Sequence, residues 1–104
     1  MSYARITRVR PLPGHAEEVL HQLNSYLEWM VTRPGFVVGM TLVPASEGHP
    51  LARVTVWERS ADADATALED HALAARSHII ALTEDQEIHE EEFSVDSLQR
   101  PNWT

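Results

Sequence analysis

Two histidines and one short extended segment carry most of the chemistry this sequence can offer. His71 and His78 stand seven residues apart, which on a helix places them on one face, two turns from each other. Either imidazole can accept a proton near neutral pH. Two ligands of one metal ion favour the i, i+4 spacing, so this pair predicts no metal site. Arg53, Thr55 and Trp57 alternate along the chain and share one face of a strand. Indole brings a broad apolar wall with one N–H donor, and a guanidinium can hold a phenolate or carboxylate more firmly than an amide can. Plainer readings stand beside these: Trp57 as a core aromatic, Arg53 as the partner of a strand glutamate, and the two histidines as part of a solvated stripe. The run Glu90-Glu91-Glu92 is divided between two faces by the strand period, leaving Glu90 and Glu92 to meet Arg5 or Arg8 across a sheet.

The rest of the composition narrows the field. The 104 residues include 16 acidic and eight basic ones, all arginine, for a formal charge of -8. Such a surface repels phosphate backbones and anionic lipid, so neither nucleic acid nor membrane is expected as a partner. Without lysine there is no Schiff-base chemistry, and without cysteine no thiolate nucleophile, disulfide or iron–sulfur cluster. The four glycines, at 14, 35, 39 and 48, have the spacing of turns rather than of a phosphate loop. The opening Met-Ser-Tyr-Ala-Arg-Ile lacks the order of a signal peptide, and a cytoplasmic protein is expected.

Periodicity then supplies the elements that must position these groups. Length and a 43% hydrophobic content predict one domain spanning 1–104, with a core at 3–96 and a tail at 97–104. Residues 3–10 read as a strand stopped by Pro11, Pro13 and Gly14. Residues 15–31 carry Ala16, Val19, Leu20, Leu23, Leu27, Met30 and Val31 at helical spacing, ended by Pro34-Gly35. Segments 36–43 and 51–59 are apolar on nearly both sides and predict a hairpin across the turn residues 44–50. Residues 60–82 predict one helix with Leu68, Ala72, Ala75, Ile79 and Leu82 inward, and 88–96 alternate as a last strand. The order β-α-β-β-α-β is ferredoxin-like, an α+β fold with a four-stranded antiparallel sheet and both helices on one face. A hairpin apolar on both sides therefore calls for a second copy of the chain on its other face.

With these elements in order, three runs resemble antibiotic biosynthesis monooxygenase domains. Arg5-Ile-Thr-Arg-Val-Arg-Pro-Leu-Pro-Gly-His-Ala-Glu-Glu-Val-Leu is similar to their first strand and helix start. Arg33-Pro-Gly-Phe-Val-Val-Gly-Met resembles their x-P-G-F approach to the second strand, and Val54-Thr-Val-Trp-Glu-Arg-Ser the W-E-S close of the third. The likeness runs over roughly residues 4 to 96. It implies a dimeric α/β barrel, two sheets joined face to face, with a ligand pocket between each sheet and its own helices.

The family includes cofactor-free oxygenases of phenols and quinols, haem-degrading enzymes, an isomerase and domains of no known activity, so fold alone does not settle function. The resemblance puts Trp57 on the pocket wall. Arg53 falls where quinone-forming members can carry an asparagine. Thr7, on the first strand, joins them as a substrate-binding residue. His78 lies near the axial histidine of haem-degrading members, yet Thr7 and Leu68 replace the asparagine and tryptophan those enzymes need, which sets haem in third place. The leading expectation is a homodimeric, cofactor-independent monooxygenase of a small phenolic, quinol or enolic compound. In it His78 or His71 is the base, Trp57 and Arg53 orient the anion, and neither metal nor cofactor takes part. The alternative is a non-catalytic ligand-binding or structural member of the same fold. The tail, with Arg100 and Trp103, is expected to lie against the partner.

Overall fold

A computed structural model describes residues 2–101; the expectation for Trp103 lies outside the described residues. The chain runs β1 (Tyr3–Val9), α1 (Ala16–Met30), β2 (Phe36–Leu42), β3 (Leu51–Trp57), α2 (Ser60–Ala67), α3 (Asp70–Ala81) and β4 (His89–Ser94). All strand pairs are antiparallel, in the order β2-β3-β1-β4, so β2 and β4 form the edges. This is the ferredoxin-like α+β arrangement.

Local chemistry explains each boundary. Gly14 turns the chain at φ +82 before α1, whose first turn holds Glu17 and Glu18 against the positive helix end. Gly35, also at φ +82, turns it again into β2. The inward stripe of α1 is Val19, Leu23, Tyr26 and Met30. Val31, expected inside, is 55% exposed: it keeps helical geometry as the cap of α1 but lies off the inward stripe. Gly39 permits close packing of α1 on β2: a Cβ there would stand 2.7 Å from Leu27 Cδ1.

The single helix expected over 60–82 is two. Glu69 is extended at φ -70, ψ 148, and its carboxylate reaches Arg33 on the α1–β2 connection at 2.8 Å. That pair sits at the break, and Leu68, which closes α2, is 75% exposed. Ala72 and Ile79, both at most 1% exposed, keep the inward face as expected. No helix among the described residues is long and apolar enough to cross a membrane.

The two sheet faces differ sharply, which corrects the expectation of a hairpin apolar on both sides. The β1–β3 register sets Tyr3, Arg5, Thr7 and Val9 beside Trp57, Thr55, Arg53 and Leu51 on the helix-covered face. In the middle of that face the side chains are polar: Thr7, Arg53 and Thr55 are 3–5% exposed. On the opposite face Val38, Met40, Leu42 and Phe93 remain 40–48% exposed. The face under the helices is polar at its centre, while the face without a cover is greasy. Both halves of that inversion need an explanation beyond folding of one chain.

Candidate functional site

The polar patch opens into a cavity between β1–β3 and the helices, bounded by Arg53, Thr55, Trp57, Tyr26, Arg5 and Arg76 among others. Strand alternation brings the first three together, with their face set by the pairing of Thr7 with Arg53 and Arg5 with Thr55. Arg53 is 5% exposed and donates from Nη2 to Thr7 Oγ1 at 3.4 Å. Its Cζ lies 4.7 Å from the centre of the Tyr26 ring, whose electron-rich face attracts the cation. Among the described residues no carboxylate comes within 4.0 Å of it, and its Nε–H has no partner. Burial pushes the guanidinium down to about 10, against the neighbouring Tyr26 and Glu90, so it stays charged at neutral pH. The same burial raises the Tyr26 phenol, opposed by the Arg53 charge.

Trp57, 2% exposed, forms one wall, with Phe36 edge-on at 5.3 Å and 87°. Its indole N–H, the donor expected to orient a ligand, instead donates to Thr55 Oγ1 at 3.1 Å. The hydroxyl proton of Thr55 is thereby turned away from the indole and becomes the donor this pair can present. The other two arginines are held from outside the cavity. Arg76 reaches Glu90 at 2.6 Å, and Arg5 reaches Glu92 at 3.1 Å, Asp64 at 3.2 Å and Glu90 at 3.6 Å. Glu90 and Glu92 thus do meet Arg5, as the strand period predicts, while Arg8 turns to Glu91 on the opposite face.

His71 and His78 do not join this group. They line an open groove of about 310 Å³ between α1 and α3, with Gln22, Ser25 and Ala75. The His71 ring stacks on Trp29 at 4.4 Å and 13°, and His78 faces Glu18 at 3.7 Å. Glu18 also lies 3.4 Å from His15. Tyr26 belongs to both spaces and is the wall between them. Among the described residues no three histidine or acidic groups are placed to hold a metal ion.

Tyr26, Arg5 and Arg76 are site residues that the motif reading missed. Tyr26 stands at i+3 from Leu23 and i-4 from Met30, so helical spacing already carried its signal. Arg76 carried none, since its approach depends on how α3 crosses the sheet.

No protein-family model matches the sequence, and no curated protein is significantly similar to it. Solved structures match its fold closely. SnoaB, a cofactor-independent oxygenase from Streptomyces nogalater, in a point-variant form, superposes with a TM-score of 0.80 at 14% identity, over 93% of this chain and 95% of that one. A candidate antibiotic biosynthesis monooxygenase from Nitrosomonas europaea gives 0.83 at 15% identity, over 91% and 90%. Rv0793 from Mycobacterium tuberculosis gives 0.84 at 16%, over 95% and 100%. The chain therefore has the ferredoxin-like α+β fold of antibiotic biosynthesis monooxygenase-type proteins.

Proposed function

We propose that this chain, as one domain, is a homodimeric, cofactor-independent oxygenase that binds a small phenolic, quinol or enolic compound between sheet and helices. The observation that carries the reading is the convergence of an aromatic wall, Trp57, and a buried cation, Arg53, on one cavity. The likeness in fold to an oxygenase that works without cofactor supports it. So does the uncovered apolar sheet face, which a second copy would bury.

The chemistry needs little from the protein. Deprotonating an electron-rich phenol or enol yields a carbanion equivalent that reduces oxygen directly. A phenol with a free ring C–H plus O2 gives a quinone plus water. One oxygen atom becomes the new carbonyl, the other leaves as water, and the substrate supplies all four electrons. Arg53 stabilises the anion, Thr55 and Trp57 fix its plane, and Thr7 steadies the guanidinium. His78 and His71, the expected base, stand in the groove on the far side of Tyr26, out of reach of a substrate seated on Arg53, so deprotonation rests on the substrate's own acidity, which the Arg53 charge increases.

The cavity measures about 20 Å³, the room of roughly one water molecule. A ring enters only when the rim side chains move, and this size favours a second reading, a ligand-binding or structural protein without turnover. Oxygen uptake with a quinol panel, in protein assayed free of metal and flavin, separates the two. The expected result is uptake that is lowered in Trp57→Phe and changes little in His78→Ala or His71→Ala, which lie outside the cavity. Absence of uptake across the panel would leave the second reading.

A further inference from the structure

We propose that the cavity between sheet and helices is an anion site, taking a small ligand by a carboxylate seated on Arg53. This names the substrate class for the oxygenase reading above, on which it rests only for the place of the site.

Charge is distributed against the trend of the whole molecule. The chain carries -8, yet three of its eight arginines line this one small space, and no aspartate or glutamate is among the lining residues described. Two of the three are neutralised by the carboxylates of Glu90, Glu92 and Asp64. Arg53 is the third and the deepest; its contacts, the Thr7 hydroxyl and the Tyr26 ring, carry no charge, and Glu90 acts on it only from beyond 4.0 Å while bridging Arg76 and Arg5.

Hydrogen bonding tells the same story independently. Arg53 Nε is buried without an acceptor, and Thr41 Oγ1 is buried without any partner. The two residues lie directly opposite each other in the β2–β3 register, on the same face. Native proteins seldom leave such a group orphaned; Arg33 Nε, likewise without a partner, and Thr41 Oγ1 lie outside the cavity lining, and the Arg53 guanidinium is the one that faces the cavity. A water molecule would complete the hydrogen bonds but leave the buried positive charge without a contacting anion, offset only by the Tyr26 ring face and the more distant Glu90. A carboxylate does both, because its two oxygens match the fork of guanidinium N–H groups and it brings the missing negative charge. The cavity, about 20 Å³, must widen at its rim to admit the head group.

Calorimetric titration of the wild-type protein under nitrogen, at neutral pH and fixed ionic strength, tests this with two matched pairs: benzoate against benzamide, and 4-hydroxybenzoate against 4-hydroxybenzamide. The carboxylates are expected to bind at least about tenfold more tightly than their amides, an advantage that Arg53→Gln removes. The same variant without ligand should unfold at equal or higher urea, since it deletes a buried cation that no carboxylate contacts. Equal affinity within both pairs, no binding of either carboxylate, or displacement by equimolar chloride would overturn the proposal. The wild-type pairs decide the matter even if Arg53→Gln does not fold. Oxygen plays no part in this measurement, so carboxylate binding without oxygen uptake would sink the oxygenase reading alone.

Discussion

The Arg53 guanidinium lies 4.7 Å above the centre of the Tyr26 ring, and that ring is the partition between the buried cavity and the open groove on the helix layer. One residue on α1 therefore does two jobs: its face offsets a buried cation, and its bulk closes the cavity toward the histidines.

Tyr26→Phe keeps the ring face and should cost less than about 1 kcal/mol in urea unfolding, whereas Tyr26→Leu loses it and should cost about 2–3 kcal/mol. Equal losses in the two variants would show that the ring's attraction for Arg53 contributes nothing.

Acid should loosen the β1–β4 edge. Hydrogen bonds from Tyr3 and then from Arg5 hold the Glu92 carboxyl below its ordinary range. A carboxylate whose folded value is depressed adds stability above its unfolded value, and that stability disappears as pH falls through the folded value. Tyr3, raised chiefly by burial and by its bond to Glu92, behaves in the opposite sense: its contribution is present below its unfolded value and is lost in strong alkali. Melting temperature followed from neutral pH into acid should fall less steeply in Glu92→Gln than in the wild type, and Tyr3→Phe should flatten the alkaline limb. Parallel curves would remove this pair from the pH response.

The break between α2 and α3 makes a contrast that a continuous helix would not. Leu68→Ala, at a position 75% exposed, should change stability by less than about 0.5 kcal/mol. Ile79→Ala, at 1% exposure, should cost about 2–5 kcal/mol. A large loss at Leu68 would mean that this side chain is buried in solution.

The apolar sheet face gives a prediction about assembly. Sedimentation should report twice the chain mass of 11.7 kDa at micromolar protein, and Met40→Glu should shift it toward the single chain by placing a charge on that face. A wild-type mass of one chain would leave the face uncovered and remove the dimer.

What sequence alone determined was whatever depends on near neighbours. The strand and helix periods of Tyr3–Val9, Ala16–Met30 and Phe36–Leu42, the turns at Gly14 and Gly35, and the resulting β-α-β-β-α-β order are consequences of local sterics and of alternation. Alternation also put Arg53, Thr55 and Trp57 on one face. Tertiary structure alone decided which face that would be, because only strand pairing and helix docking show that the polar side of β3 is the covered one. It also decided that the second helix breaks at Glu69, where the side chain meets Arg33, and that His71 and His78 stand on the outer side of Tyr26. These outcomes rest on contacts between residues distant in the chain, whose energies no local pattern of residue types records.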